Sequence, residues 1–371
     1  MILEWIQIFV GLLGAMGILA LGFGVLILAK KAGGNVAAAH DDVVVSIKNL
    51  NEACQTRSDE LLETVLSKQE FKARSKDQKK KQKTELKEKE RIQNTADATG
   101  QNSGNPRKKR VYVLSFVGDM NASHVHGLRE AITALVPLLR KEVDEIVLKV
   151  ESPGGVVHGY GLAAAQILRL KKAAARLTIC VDKVAASGGY MMACLADEIV
   201  ASPFAIVGSI GAVAGVPNVH RLIKENNIDY LEMTAGKYKR TLSILGEVTE
   251  EKKQKFQEQL DDVHEIFKDH VKNQRPVLDL EKVGTGEYWY GVRALELGLV
   301  DRLGTSDEVV LDAIEAADVF EVTYKEKESM RDKLAGRLFS AAHRLLARGL
   351  LAGWKESVPQ VRENMLPEIR A

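Results

Sequence analysis

Four short stretches hold residue types that could do chemistry. The first is Val181-Asp-Lys-Val-Ala-Ala-Ser-Gly-Gly-Tyr-Met-Met-Ala-Cys-Leu-Ala196. A β-branched run from Leu177 to Val181 stops at Asp182. A small-residue turn then leads into Met191, Met192 and Leu195 at helical spacing. That pattern predicts a strand, a tight turn and a buried helix, with Ser187 at the turn. Free backbone N–H groups and the positive end of a helix can hold a developing oxyanion there. Read alone, Ser187 is more simply an N-cap, since Ser before small residues commonly opens a helix.

The second stretch is Glu151-Ser-Pro-Gly-Gly155. Gly154 and Gly155 can offer backbone N–H groups without side-chain hindrance, one physical way to build an oxyanion hole, although Pro-Gly by itself marks only a turn. The third is Thr234-Ala-Gly-Lys-Tyr-Lys-Arg240, where Lys237 and Arg240 crowd Lys239 and Tyr238 and Leu242 can exclude water. Nearby cations and desolvation both lower a lysine's pKa, as a lysine acting as general base requires; a solvated basic loop has the same composition. The fourth is Val207-Gly-Ser-Ile-Gly211, in which Ser209 can line a cleft and orient a base, or simply turn the chain.

Other chemistries have less behind them. His124 and His126 can share one face of a strand and His158 follows the Gly-Gly loop, but spacing supplies no third ligand, so no metal is expected. No histidine is marked as the partner of a triad, and the stretch around Ser187 lacks the Gly-x-Ser-x-Gly form of a nucleophile elbow. Of the three cysteines, Cys180 and Cys194 sit in apolar runs as buried thiols and Cys54 stands apart, so a disulfide framework is not expected.

The elements that must position these residues alternate. Strands are expected at Val111–Val117, Glu145–Val150, Leu177–Val181, Glu198–Ala201 and Tyr230–Thr234. Helices are expected at Val125–Leu139, Tyr160–Ala175, Ser187–Ala196, Val219–Asn226 and Glu250–Lys272. Such alternation implies an α/β domain with covered, largely parallel strands, and an apolar fraction of 46% supports a sizeable core.

Outside that domain the chain changes character. Trp5 to Ala29 carries no charge and can cross a hydrocarbon core of about 30 Å at about 1.5 Å per residue. It lacks the basic start of a signal peptide and is too long for one, so residues 1–31 are expected to form an uncleaved anchor. Lys30, Lys31 and a later basic block place the bulk of the chain on the cytoplasmic side by the positive-inside rule. Residues 32–110 are expected to be a charged region and linker, helical over 40–95. Within it, Lys68 to Arg91 holds eleven Lys/Arg against five Asp/Glu. That segment suits anionic lipid or a solvated helix, whereas nucleic acid is disfavoured because Phe71 is its only aromatic. After a folded domain over 111–325, residues 326–371 include Arg331–Trp354. There Leu334, Leu338, Ala342, Leu345, Leu346 and Leu350 form one stripe beside or opposite basic residues. That basic amphipathic helix can lie on a membrane, pack on a neighbouring subunit or close the domain's own core.

Joined in order, Ser-Pro-Gly-Gly at 152–155, Ala-Ser-Gly-Gly-Tyr at 186–190, Gly-Ser-Ile-Gly at 208–211 and Ala-Gly-x-x-Lys at 235–239 form a specific signature. The sequence resembles the signal peptide peptidase A family of membrane serine proteases, above all its half-length members. The match runs from about Val111 to Ala316 and includes Gly-Glu-x-Trp-Tyr-Gly at Gly286–Gly291. The resemblance implies a ClpP/crotonase-like fold and a Ser/Lys dyad. Ser187 matches the nucleophile, Lys239 the general base and Ser209 the serine that orients the lysine. Gly155 and Gly188 are the implied oxyanion-hole donors, Gly188 partly by analogy with the wider fold. Glu151 stands where longer members commonly carry asparagine, which bears on substrate preference.

The expected function is a membrane-anchored serine endopeptidase of the bacterial inner membrane. It would cut extended apolar peptides, such as signal-peptide remnants or membrane-protein segments, without metal or cofactor. The resemblance further implies a homo-oligomeric ring or dome with shared active sites, and a periplasmic protease domain, against the positive-inside count. Two other classes are a crotonase-like acyl-CoA enzyme, which would deploy carboxylates at the oxyanion hole, and a non-catalytic membrane scaffold.

Overall fold

Residues 43–74, 76–77, 80, 84 and 108–326 are described by a computed structural model. The expected anchor over 1–31, most of the basic segment and linker, and the amphipathic stretch Arg331–Trp354 lie outside the described residues. Among the described residues no helix is long and apolar enough to cross a membrane.

The described chain begins with strand β1 (Val43–Asn49) and helix α1 (Leu50–Val65). Helix was expected throughout 40–95, but Val43, Val44, Val45 and Ile47 are β-branched and stiff at χ1, and they form an edge strand instead. Asn49 ends it and caps α1, its side chain accepting from the N–H groups of Asn51 and Glu52. The sheet thus draws one strand from the segment read as charged helix.

Then follow β2 (Arg110–Val117), α2 (Val125–Leu135) with a 3-10 turn at Val136–Leu138, β3 (Glu145–Glu151), α3 (Val157–Ala173), β4 (Arg176–Val181) and β5 (Val184–Ala186). Next come α4 (Gly188–Ala193), β6 (Glu198–Ala201), β7 (Ile206–Gly208), α5 (His220–Glu225) and α6 (Glu250–Gln274). The described chain closes with α7 (Leu280–Val283), β8 (Tyr288–Tyr290), α8 (Gly291–Glu296), β9 (Arg302–Leu303), α9 (Ser306–Ala316) and β10 (Asp318–Glu326). Apart from the end residues of β1 and β10, these elements belong to the compact unit Val44–Lys325.

Seven strands form one sheet in the order β1-β10-β2-β3-β4-β6-β9, and every pair from β10 to β9 is parallel. A second sheet, β5-β7-β8, is parallel at β5/β7 and antiparallel at β7/β8. Alternation along the strands divides the core. Tyr112, Leu114, Phe116, Ile146, Leu148 and Ile179 join α2, α3 and α4 on one face, while Val111, Val113, Val147, Cys180 and Val200 meet Val310 of α9 on the other. Cys180 and Cys194 are buried as expected, and burial pushes both thiols up to about 12.

Two further expectations fail for physical reasons. Tyr230–Thr234 is not a strand: no strand among the described residues pairs with it, and it is largely exposed. His124 sits at the N-cap of α2 and His126 in its first turn, so the pair does not share a strand face.

At the start of β3, the fully buried Asp144 carboxylate meets Arg140 Nη2 at 2.6 Å and Arg110 Nη2 at 2.9 Å and accepts the Arg140 backbone N–H. Burial alone would push this carboxyl up, but the bonds from Arg140 and Arg110 outweigh it and hold it below the ordinary carboxylate range. A depressed native pKa gives stability that is present above the unfolded value, about 3.9, and lost as pH falls through the native one. Replacing both arginines (Arg110→Met with Arg140→Met) leaves a buried carboxylate without a cation. Urea unfolding at pH 7 should show a loss of about 3–5 kcal/mol. The acid-induced fall in stability below about pH 4 should also be flatter in the variant than in the wild type.

Candidate active site

The chain reaches Ser187 through β5, a strand of three residues held on both sides. Ala185 pairs with Val207 of β7, and Ser152 bridges to Ala185 from the other flank. Ser152 N–H donates to Val184 O at 2.8 Å and Ala186 N–H donates to Ser152 O at 3.0 Å. Ser187 then turns sharply, at φ 51° and ψ −117°, and α4 begins at Gly188. A positive φ at a non-glycine residue costs about 1–3 kcal/mol and persists only where its surroundings enforce it. A strained strand-to-helix turn of this kind displays the nucleophile of α/β-hydrolases; here one forms without the Gly-x-Ser-x-Gly sequence. Ser187 stands at the N-cap position, yet its side chain makes no capping bond, and its Oγ has no hydrogen-bond partner among the described residues. Its backbone is fixed at both ends: N–H to Gly208 O at 2.8 Å, and C=O from Met191 N–H at 2.9 Å.

Glycine lets the Ser-Pro-Gly-Gly loop lie directly against that turn. Gly154 has φ 88°, and a Cβ there would sit 2.7 Å from both Gly188 N and Ser187 Cβ. At Gly155 a side chain would strike the Met120 backbone, whose carbonyl takes the Val156 N–H at 2.9 Å. The N–H groups can be accounted for one by one. Gly154 N–H donates to Ser152 Oγ at 3.1 Å, whereas those of Gly155 and Gly188 have no acceptor among the described residues. The latter is an open donor of the first helical turn. Glu151 and Lys183, the charged residues heading the two motifs, pair with each other at 3.0 Å.

Parallel pairing carries Ser209 alongside, since Ala186 faces Gly208 and the next residues are Ser187 and Ser209. Ser209 also has positive φ, 52°, and donates its N–H to Glu287 O at 2.7 Å. Ser187 and Ser209 thus leave the ends of paired strands, and Gly154, next to Gly155, lies against Ser187 and Gly188.

Lys239 makes no hydrogen bond to any of them among the described residues. It lies on a long loop whose neck is closed by Val219 N–H to Ile244 O at 2.8 Å and by Asn218 Nδ2 to Ser243 O and Gly246 O. The cations expected to crowd it are engaged elsewhere: Lys237 with Glu251 at 2.7 Å and Arg240 with Glu232 at 3.1 Å. The Lys239 side chain is exposed and takes no hydrogen-bond or ion-pair partner among the described residues. Lys239 is thus exposed, with the two flanking cations each paired to a carboxylate. The same loop exposes large apolar side chains, Leu231 at 81% and Met233 at 91%.

Two residues behind the site escaped the sequence reading. Ser152 belongs to the Ser-Pro-Gly-Gly signature and Tyr160 to the expected helix, but neither side chain was assigned a role. Yet Ser152 Oγ lies 2.6 Å from Tyr160 Oη, and the Tyr160 hydroxyl donates to Asp119 O at 2.8 Å. Between α3, α4 and α6, Val157, Leu168, Met191, Ile266, Phe267 and His270 line an apolar cavity of about 340 Å³. Two of its walls, Val157 and Met191, come from just after Gly155 and one turn after Ser187.

Family models match this chain over most of its length. Residues 169–320 match peptidase family S49, and residues 7–167 match the N-terminal region of the same family. The chain is 49% identical over 249 residues to the probable protease SohB of Haemophilus influenzae, covering 67% of this chain and 70% of that one. It is 47% identical over 238 residues to the probable protease SohB of Buchnera aphidicola subsp. Acyrthosiphon pisum, covering 64% of this chain and 70% of that one. Among solved structures, the 1510-N membrane-bound stomatin-specific protease aligns at 15% identity with a TM-score of 0.38, over 62% of this chain and 98% of that one. On the two family matches and the extent of its likeness to the SohB proteins, the chain belongs to peptidase family S49, close to SohB.

Proposed function

We propose that this protein is a membrane-anchored serine endopeptidase with a Ser/Lys dyad on a ClpP/crotonase-like fold. The observation that carries the reading is the strained turn at Ser187: among the described residues its Oγ has no hydrogen-bond partner, and the nearby N–H groups of Gly155 and Gly188 have no acceptor. Ser187 Oγ attacks the scissile carbonyl while the Lys239 amine takes its proton. Negative charge gathers on the former carbonyl oxygen, where the Gly155 and Gly188 N–H groups and the start of α4 stabilise it. Lys239 returns the proton to the leaving amine, and water then hydrolyses the acyl ester by the same route in reverse. Ser209, next to Ser187 in register, orients the lysine. No step requires a metal or an organic cofactor.

Substrates on this reading are extended apolar peptides, in keeping with the apolar cavity walled by Val157 and Met191. The protein acts at the bacterial inner membrane, with Trp5–Ala29 as its anchor and the protease domain on the periplasmic side. That orientation follows the family and runs against the positive-inside count. The base comes from another copy of the chain in a ring or dome. Among the described residues Lys239 has no hydrogen-bond or ion-pair partner, and its loop carries exposed Leu231 and Met233, the kind of apolar surface that marks an interface.

Two measurements test the reading on the full chain in detergent. A fluorophosphonate probe should label the wild type and fail on Ser187→Ala, while Lys239→Ala should lower peptide hydrolysis by about 10²–10⁴-fold. Labelling that persists in Ser187→Ala would remove the assigned nucleophile. Inactive Ser187→Ala and Lys239→Ala chains, mixed before assembly, should recover part of the wild-type hydrolysis. Full activity in dissociated monomers would defeat the shared site.

A further inference from the structure

Tyr160 is fully buried, and its contacts fix the direction of every proton around it. The Asp119 carbonyl can only accept, so the Tyr160 hydroxyl spends its single proton there, at 2.8 Å. The short 2.6 Å contact with Ser152 then requires the Ser152 hydroxyl to donate to Tyr160 Oη. With that proton used, Ser152 Oγ presents lone pairs to the Gly154 N–H, which donates at 3.1 Å. The result is a one-way chain from Gly154 N–H through Ser152 and Tyr160 to the Asp119 carbonyl. Each link polarises the next in a site shielded from water.

The ring of Tyr160 acts on the other side of the site. It packs on Gly188, where an added Cβ would strike it, and it is braced edge-on by Phe116 at 6.3 Å and 86°. One side chain therefore touches both segments that carry the acceptor-free N–H groups. We propose that Tyr160 is a positioning residue: through Ser152 it turns the Gly154 N–H inward, which leaves Gly155 as the outward donor, and its ring sets the place of Gly188. The proposal rests on the oxyanion-hole role of Gly155 and Gly188.

The test uses the full chain in detergent with Tyr160→Phe and Ser152→Ala, each of which removes one hydroxyl and keeps the packing around it. Amide hydrogen exchange over residues 153–156 should rise about tenfold in either variant, the equivalent of one net hydrogen bond. The kcat for a fluorogenic peptide should fall by about ten- to a hundredfold with KM within about twofold, the signature of a misplaced transition-state contact. Affinity for a peptide boronate, which mimics the tetrahedral state, should fall in parallel, whereas affinity for a product peptide should hold. The double variant should be no worse than the worse single one, because both break one chain. Unchanged exchange over 153–156, or a loss confined to KM, would overturn the proposal. A wild type that hydrolyses nothing, with the exchange effect intact, would remove the protease reading and keep the loop assignment.

Discussion

The three residues of β5 hold together everything the site needs. Four backbone hydrogen bonds grip them and their neighbours: Ser152 N–H to Val184 O, Ala186 N–H to Ser152 O, Ile206 N–H to Lys183 O, and Ser187 N–H to Gly208 O. At about 0.5–1.5 kcal/mol net for each bond, this ladder offsets the roughly 1–3 kcal/mol stored in the Ser187 turn. The strain is useful because of where it leaves the side chain. An unstrained N-cap serine would bond Oγ to the helix N–H groups, whereas this backbone leaves Oγ without any such bond and keeps the first-turn donors open. The same ladder decides what lies beside Ser187: Ser152 brings the Gly154–Gly155 loop on one flank and β7 brings Ser209 on the other.

Close approach of backbones is the second constraint, and it explains which residues tolerate no side chain. Gly154 and Gly188 meet where a Cβ on the first would touch the second's nitrogen, and a Cβ on the second would enter the Tyr160 ring. Two loops far apart in sequence can then place N–H donors side by side without a side chain between them. Precision of this kind costs binding groups little reorganisation when charge develops, which is why preorganised donors outperform mobile ones.

Much of this was legible in the sequence because the central strands are strongly patterned. Val111–Val117, Glu145–Glu151, Leu177–Val181 and Glu198–Ala201 are largely buried apolar runs, and the Gly155 motif begins at the end of the second while the Ser187 motif begins at the end of the third. Elements set by tertiary context were not legible. β5, β7 and β8 are three residues long, too short for periodicity, and exist only through their partners. β1 was hidden because its three valines precede a long charged run that reads as helix. Ser152 and Tyr160 gave no signal as a pair, since their spacing of eight becomes a contact only when the loop folds back over the helix.

Lys239 follows a different logic. A lysine buried beside Ser187 in a single chain would impose a desolvation cost on folding, and burying an ammonium group is expensive unless it is paired or neutral. The isolated chain avoids that cost by leaving the lysine on a loop closed at its neck by Asn218 and Val219 and steadied by the Lys237–Glu251 and Arg240–Glu232 pairs. On the proposed reading, assembly supplies the energy that folding does not. Burial of Leu231, Met233 and their neighbours against another copy would favour association and, in the same step, strip water from the lysine. Nucleophile and oxyanion donors would then be built by folding, and the base would be added only where chains meet. Proteolytic power would be confined to the assembled state at the membrane, and a lone protomer would carry an incomplete site.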